Sequence, residues 1–262
     1  MSTSLAGAAP QQSSTGLASR TLVLIYGFMT YAVFHATFLY TIGFVHDVVV
    51  PTSLDRGLTE SSMGTAIWIN VGLALLFAVQ HLIMARPWFK ARWTKIIPAA
   101  AERSTFVLVT CLILGLMFLA WRPMPQVIWE VNWTPAVWLF HGVAALGWVT
   151  VLVSTFLINH FALFGTSQVL DNFLQREPKS QVFSLRGAYR WVRHPLMLGF
   201  LMAFWSTPFM TLGHLMFAGL ITAFVLVALV FEENDLLAAH GESYAEYRRT
   251  VPKLLPFRRP RA

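Results

Sequence analysis

Long apolar blocks recur along this 262-residue chain, and they restrict its fold more than any other feature. Each block is close to the length of about 20 residues that a helix needs to cross the hydrocarbon layer of a bilayer. No water satisfies backbone groups inside that layer, so each spanning segment must be helical. The composition agrees, because 12% of the residues are charged, about half the usual share in soluble domains. The sequence therefore predicts an all-α polytopic membrane protein.

The apolar blocks predict about six transmembrane helices. The last block is too long for one helix, and it is interrupted after Pro208 by Met210-Thr211-Leu212-Gly213. Proline and glycine break regular structure, so we expect spans five and six to form a tight helical hairpin. The predicted spans are residues 21–45, 63–84, 104–121 and 135–161, with the hairpin in residues 195–231.

Basic residues are distributed unevenly between the predicted loops. Of the 19 lysine and arginine residues, 17 fall on one side, and only Arg56 and Arg122 fall on the other. Since cytosolic loops are enriched in positive charge, both termini are predicted to be cytosolic, in a bacterial inner membrane. The net charge of +7 then reflects topology and attraction to anionic lipids, and it does not indicate a nucleic-acid partner. We expect residues 1–20 to be a disordered cytosolic tail and residues 21–262 to form one domain.

The run Arg193-His194-Pro195 opens the predicted fifth span. Proline suits the first turn of a helix, and the free N–H groups there attract anions. These residues could therefore hold a carboxylate. The alternative is that they only anchor the span on its positive side.

Acidic and aromatic residues follow at the end of the predicted sixth span. Glu232 and Glu233 lie at the predicted C-terminal end of this helix, where the helix dipole disfavours negative charge. They could therefore hold a ribose, an amine or a sulfonium group. Tyr244 and Tyr247 share one helical face, which would attract a cation. The alternatives are ion pairs with nearby arginines and an interfacial amphipathic helix.

His160 follows Asn159 at the inner end of the predicted fourth span. An ionisable residue at a membrane boundary is a functional candidate, and histidine can accept a proton near neutral pH. A structural role is the alternative. The eight histidines show no metal-binding spacing, so no metal site is predicted.

The C-terminal pattern resembles the isoprenylcysteine carboxyl methyltransferase superfamily of integral membrane methyltransferases. The shared positions are Arg193-His194-Pro195, Gly199, Glu232-Glu233, Gly241, Tyr244, Tyr247 and Val251-Pro252. Within that superfamily, further runs are similar to the bacterial methanethiol S-methyltransferases. These runs include Gln80-His81, Met84-Ala85-Arg86-Pro87-Trp88, Glu102-Arg103-Ser104-Thr105 and Asn159-His160-Phe161.

The resemblance implies methylation of methanethiol to dimethyl sulfide, with S-adenosylmethionine as donor and S-adenosylhomocysteine as product. It implies a cytosolic cofactor pocket built mainly from residues 187–257. The implied cofactor-binding residues are Tyr189, Arg193, His194, Pro195, Gly199, Glu232, Glu233, Tyr244 and Tyr247. The implied catalytic residues are Asn159, His160 and position 162, and the implied substrate residues are His81, Arg86, Phe161 and Phe164.

Position 162 departs from this pattern. The resemblance implies an aspartate after His160-Phe161, where this chain has Ala162. Loss of that acid predicts an inactive form, whether the alanine is natural or engineered. Methylation of another thiol or of a carboxylate in the membrane stays open, as does a non-catalytic role within the superfamily, and the sequence leaves the oligomeric state open.

Overall fold

The computed structural model describes residues 16–177 and 187–256. Most of the predicted tail, residues 1–15, and the last residue of the predicted cofactor segment, residue 257, lie outside these ranges. Within the described ranges the chain forms α1 Leu17–His46, α2 Met63–Met84, α3 Pro87–Trp93, α4 Glu102–Ala120, α5 Thr134–Ile158, α6 His160–Leu163, α7 Thr166–Phe173, α8 Pro195–Trp205, α9 Leu212–His240 and α10 Glu242–Thr250, with strands β1 Val127–Glu130 and β2 Phe209–Thr211. Because α1 starts at Leu17, residues 17–20 are helical and not part of a disordered tail as predicted.

Within residues 16–177 and 187–256, five helices, α1, α2, α4, α5 and α9, are long and apolar enough to cross a membrane. The prediction of an all-α polytopic membrane protein is confirmed. The predicted count of about six transmembrane helices is not confirmed, because α8, which begins the predicted fifth span, has 11 residues and a length of about 16 Å. That length covers about half of the hydrocarbon layer. Pro195 lies in the first turn of α8, as predicted.

The segment between α8 and α9 differs from the predicted tight hairpin turn. Residues Phe209–Thr211 form β2, which pairs antiparallel with β1 and aligns Met210 with Trp129. The paired strands satisfy backbone groups that a bare turn would leave open. This two-stranded ribbon marks one end of the helical bundle, called here the ribbon end. The opposite end carries α10 and is called the α10 end.

Two helix boundaries also differ from the predictions. Helix α5 ends at Ile158, and Asn159 separates it from the short helix α6. Helix α9 continues to His240, so Glu232 and Glu233 lie inside a helix and not at its C-terminal end. The apolar pattern stopped at Phe231, but the helix continues because residues 232–240 pack against the start of α8 and against α10.

Helices α5 and α8 approach each other closely at two glycines. A Cβ atom on Gly199 would lie 2.7 Å from the Gly147 carbonyl oxygen, and one on Gly147 would lie 2.6 Å from the Gly199 carbonyl oxygen. Small residues permit this approach between helices in a membrane. Gly199, expected from the resemblance to bind cofactor, therefore has a packing function in the structure.

Candidate functional site

One large cavity lies inside the bundle and reaches the α10 end. Its volume is about 1850 Å³, and its wall comes from α1, α2, α4, α5, α8, α9 and α10. Polar groups concentrate near the α10 end, and aromatic and aliphatic side chains line the deeper part. Such a cavity, apolar with a few convergent polar groups, is typical of a small-molecule site.

The cavity brings together most of the residues singled out in the sequence. Those that line it are His81, Asn159, His160, Ala162, Phe164, Tyr189, Arg193, His194, Glu232, Tyr244 and Tyr247. Those absent from its wall are Arg86, Pro195, Gly199, Phe161 and Glu233. The C-terminal motif and the His160 segment, far apart in sequence, thus share one cavity.

The two adjacent acids have different environments. Glu233 is 6% exposed, and its Oε1 accepts hydrogen bonds from Arg193 Nε at 2.8 Å and lies 3.2 Å from His194 Nε2. Its Oε2 lies 3.3 Å from Lys253 Nζ. Three basic side chains therefore surround this buried carboxylate, which is the condition under which a buried charge is tolerated.

Arg193 is almost fully engaged by groups of its own chain. Its side chain is 8% exposed, and Nη2 lies 2.8 Å from Glu233 Oε1. Its Nη1 donates to the carbonyl oxygens of Arg248 and Val251 at 2.6 and 2.9 Å. The backbone N–H groups of Arg193 and His194 donate to Pro252 and Lys253. The basic run thus holds the segment after α10 against the start of α8, and Glu233 supplies the carboxylate that the sequence pattern anticipated.

Glu232 instead faces the cavity. Its side chain keeps 47% of its surface accessible, and Oε2 lies 3.8 Å from His194 Nδ1. Because its one basic contact within 4 Å among the described residues is this long one, the carboxylate retains capacity to accept hydrogen bonds or to face a cation. Of the adjacent acids, Glu232 is the one positioned to meet a ligand.

Three tyrosines form the wall near Glu232. The Tyr247 hydroxyl donates to the Tyr189 carbonyl oxygen at 2.6 Å, and the rings of Tyr244 and Tyr247 meet edge to face at 5.9 Å. Burial raises the pKa of Tyr247 to about 12. Burial, with the acidic side chains nearby, also raises the pKa of Tyr189 and Tyr244. The phenols are therefore neutral at physiological pH.

Both ring nitrogens of His160 are hydrogen-bonded. Nδ1 lies 2.7 Å from Thr155 Oγ1, and Nε2 lies 2.7 Å from the Tyr31 hydroxyl. The Thr155 hydroxyl donates its one proton to the Leu152 carbonyl oxygen, so it must accept from His160 Nδ1. His160 Nε2 then accepts from Tyr31. Burial, and secondarily His35, lowers the pKa of His160, which favours this neutral form.

His35, one helical turn after Tyr31, has a different pattern. Its Nδ1 lies 2.8 Å from the Tyr31 carbonyl oxygen, which can only accept, so Nδ1 carries the proton. In the neutral ring Nε2 is then an acceptor, and no group among the described residues donates to it. His35 lines the cavity, and its ring lies 4.3 Å from that of Tyr31 and 6.3 Å from that of His160.

Tyr31, His35 and Thr155 were not selected in the sequence. A signal existed, because a tyrosine and a histidine spaced by four residues share one face of an otherwise apolar span. Their relation to His160 depends on the packing of α1 against α5 and α6, which a single sequence does not display.

Local geometry explains how His160 is placed. The Asn159 side-chain oxygen accepts from the Ala162 N–H at 3.2 Å and caps α6. Gly165 has φ +90°, and a Cβ there would lie 2.7 Å from the backbone nitrogen of Ser104. Only glycine satisfies both requirements. Asn159 and Gly165 therefore turn the chain so that α6 lies against α4.

The other expected substrate residues lie away from the cavity wall. Arg86 pairs with Asp235 at 2.9 Å and covers the Phe231 ring at 5.2 Å, which joins the end of α2 to α9. Phe161 is exposed on the outside of the bundle. No cluster of potential metal ligands occurs among the residues that the structure describes.

Fold and site together define a multi-pass α-helical membrane protein with an interior small-molecule cavity. Comparison with known proteins identifies its relatives. The chain is 50% identical to methanethiol S-methyltransferase 2 of Bradyrhizobium diazoefficiens over 91% of each chain. It is 47% identical to the methanethiol S-methyltransferase of Crocosphaera subtropica, over 94% of this chain and 96% of that one. It is 49% identical to the enzyme of that name from Mycobacterium tuberculosis, over 91% and 97%.

This chain belongs to the methanethiol S-methyltransferase family, as these identities over nearly complete chains establish. The family resemblance stated from the sequence motifs is thereby confirmed. No general protein-family model matches the chain. No solved structure matches it significantly.

Proposed function

We propose that this protein transfers a methyl group from S-adenosylmethionine to methanethiol and releases dimethyl sulfide and S-adenosylhomocysteine. Membership of the family supports the acceptor. The observation that carries the proposal is the single cavity in which Glu232 and three neutral tyrosines lie at one part of the wall and His35 and His160 at another. Donor and acceptor would therefore meet in one cavity.

The residues near the α10 end fit the donor. When bound, S-adenosylmethionine supplies a methyl group already activated on a sulfonium centre. Glu232 would accept from polar hydrogens of the donor or face its positive charge. Tyr189, Tyr244 and Tyr247 present aromatic surface, which attracts cations. Arg193, His194 and Glu233 would act indirectly by holding α8, α9 and the segment after α10 together.

The acceptor requires removal of a proton, because the thiolate is the nucleophile. We propose that His35 Nε2 takes the proton from the thiol sulfur. The resulting thiolate forms the new carbon–sulfur bond while the methyl–sulfonium bond breaks. His35, then an imidazolium, returns the proton to solvent. Binding inside the bundle would limit the access of water to the reacting atoms and align them.

His160 has a positioning role in this proposal. Both of its ring nitrogens are engaged, by Thr155 and by Tyr31, so it would hold Tyr31 and with it the carbonyl group that orients His35. Asn159 would set the position of His160 through its cap of α6. The sequence suggested His160 itself as the base. Substituting His35 and His160 in separate variants distinguishes the base from the positioning residue.

The inactive form expected from Ala162 stays a prediction. Ala162 is buried, lines the cavity, and its carbonyl oxygen accepts from Gln168 at 3.0 Å. With His35 as the base, the proposed chemistry does not need an acid at position 162. Higher turnover by Ala162→Asp would support the inactive-form expectation, and unchanged or lower turnover would remove it.

We further propose that the α10 end faces the cytosol, where S-adenosylmethionine is made. The basic residues of α3 and α10 and Arg103 lie at this end, as positive-inside asymmetry requires. Methanethiol is small and apolar enough to reach the cavity from the bilayer. Partition from the membrane would supply the acceptor, and the cytosol would supply the donor.

The test is calorimetric titration of the detergent-purified protein with S-adenosylmethionine, followed by headspace measurement of dimethyl sulfide after methanethiol is added. Binding together with product is the expected result. Binding without product would direct attention to Ala162 or to another acceptor. Absence of binding by folded protein would support a non-catalytic role and would overturn the proposal.

A further inference from the structure

The cavity is larger than the proposed donor and methanethiol require. Its volume is about 1850 Å³, whereas a pocket for a drug-sized ligand is about 300–1,000 Å³. S-adenosylmethionine belongs to that size class, and methanethiol adds only two heavy atoms. A substantial part of the cavity is therefore available to another group.

Part of the cavity extends between apolar side chains deep in the bundle, and this extension is called here the apolar arm. On α9 the cavity wall extends from Glu232 to Phe217, which is about 22 Å along the helix axis. Aromatic and aliphatic side chains from three helices surround this part. The apolar arm is lined by Phe77, Phe106, Leu114, Phe217, Ile221 and Phe224.

The apolar arm is closed toward the ribbon end. The Phe217 ring packs against those of Phe204, Trp121 and Phe44, with centroids 5.2, 5.8 and 6.4 Å away. Trp121 and Phe44 are fully buried. Because this aromatic cluster fills the bundle beyond Phe217, the arm is a blind pocket and not a channel through the protein.

The hydroxyl groups along the arm are directed to their own helices. Thr37, Thr41 and Thr110 donate to the carbonyl oxygens of Val33, Thr37 and Phe106 at 2.8–2.9 Å. These side chains therefore leave their methyl groups to line the space. His81, whose ring packs against those of Phe77, Phe106 and Phe224, is the polar side chain at the entrance of the arm. Between His81 and Phe217 a ligand part must be apolar, because a polar group there would lose its hydration without an equivalent partner.

We propose that the apolar arm holds the alkyl chain of longer primary thiols, so that this protein also methylates linear alkanethiols to alkyl methyl sulfides. The inference rests on the proposed thiol methylation. The sulfur would lie beside His35, which takes the S–H proton, while the chain extends toward Phe217. The new carbon–sulfur bond forms as the methyl–sulfonium bond breaks, as with methanethiol.

The length of the alkyl chain determines how much the KM of a thiol is expected to fall. Burying one methylene group is worth about 0.8 kcal/mol, which is about fourfold in affinity. Butanethiol has three more methylene groups than methanethiol, so its KM is expected to be about 50-fold lower. The trend should continue with chain length until the arm is full.

The experiment compares methanethiol, butanethiol and hexanethiol as acceptors for the detergent-purified protein, with the sulfide products measured by gas chromatography. Leu114→Trp places a large ring in the arm. The matched control is Leu112→Trp, because Leu112 lies on the same helix but is exposed on the outside of the bundle. Leu114→Trp is expected to raise the KM for hexanethiol at least tenfold and to leave methanethiol turnover within about twofold.

Methanethiol turnover by each variant shows whether the variant folds. If Leu114→Trp loses both activities, Ile221→Phe offers a smaller obstruction at another side of the arm. If the protein methylates methanethiol but not hexanethiol, the inference is overturned while the proposed function stands. Hexanethiol turnover that neither variant affects would also overturn the arm as its binding site. Failure with every thiol would overturn the proposed function itself.

Discussion

Tyr31 of α1 and His160 of α6 are joined by a 2.7 Å hydrogen bond between the tyrosine hydroxyl and Nε2. The residues are separated by 129 positions in the sequence. Since the proton on Nδ1 is donated to Thr155, the bond has a fixed direction, from the hydroxyl to the ring. The Thr155 contact thus determines which nitrogen of His160 is protonated, and the Tyr31 bond connects the first helix to the candidate site.

This relationship predicts a dependence of stability on pH. Burial lowers the pKa of His160 below the value of about 6.5 expected in the unfolded chain. The neutral ring therefore stabilises the fold above pH 6.5, and its contribution is lost as the pH falls. Thermal unfolding in detergent from pH 8 to pH 5 should show a steeper loss for the parent protein than for His160→Gln. Equal dependence of the melting temperature on pH in the two proteins would contradict a neutral, hydrogen-bonded His160. As a control, substitution of the exposed His141 by Gln should leave the dependence of the parent protein unchanged.

Substitution of His35 tests the proposed base. His35→Gln is expected to reduce kcat with methanethiol about 100-fold, the scale of general base catalysis. With 2,2,2-trifluoroethanethiol, whose fluorines make the thiol more acidic than methanethiol and so less dependent on a base, the loss should be less than about tenfold. His141→Gln serves as the control. Equal losses with both thiols would indicate a structural role for His35, and comparison with His160→Gln separates the base from the positioning residue.

Glu232→Gln is expected to weaken binding of S-adenosylmethionine. The substitution keeps the size of the side chain and removes its charge, so loss of a charge-assisted contact should cost about tenfold in Kd. The melting temperature should change little, because this side chain keeps 47% of its surface accessible. Calorimetric titration measures the first quantity, and thermal unfolding measures the second. Unchanged affinity would remove Glu232 from the donor site.

Glu233→Gln, unlike Glu232→Gln, should mainly reduce the stability of the protein. Its carboxylate is buried among Arg193, His194 and Lys253, and removal of one partner from such a cluster costs about 3 kcal/mol. A lower free energy of unfolding is therefore the expected result, measured by denaturant titration in detergent. Exposed Glu246→Gln should stay within about 0.5 kcal/mol. If Glu233→Gln is as stable as the parent protein, the proposed division between the two acids is wrong.

Gly165→Ala tests the turn that positions His160. Alanine is strained at φ +90°, and its Cβ would also contact Ser104, so a loss of about 2 kcal/mol or more is expected. Gly219→Ala is the matched control, because a Cβ there meets no atom within 4 Å. Thermal unfolding and methanethiol turnover of both variants provide the comparison. Equal behaviour of the two variants would contradict the requirement for glycine at 165.

The helical membrane fold was predictable because apolar length and backbone hydrogen bonding leave few alternatives. The end of α9 was not, because the helix continues through Glu232 and Glu233, and the basic partners of Glu233 come from segments remote in the sequence. Likewise, the 11-residue α8 and the β1–β2 ribbon depend on contacts between distant segments. Apolar content alone does not distinguish a full span from half a span followed by a strand.

In the candidate site, too, some features were predictable from the sequence and others depended on tertiary contacts. The sequence by itself determined the membrane class and the family motifs, because residue type and spacing carry that information. Most of the residues selected from those motifs line the cavity. Only the tertiary structure decided that Glu233 is enclosed by basic groups while Glu232 faces the cavity. Only the tertiary structure joined Tyr31, His35 and His160, because hydrogen bonds and burial depend on distances between segments that are remote in the chain.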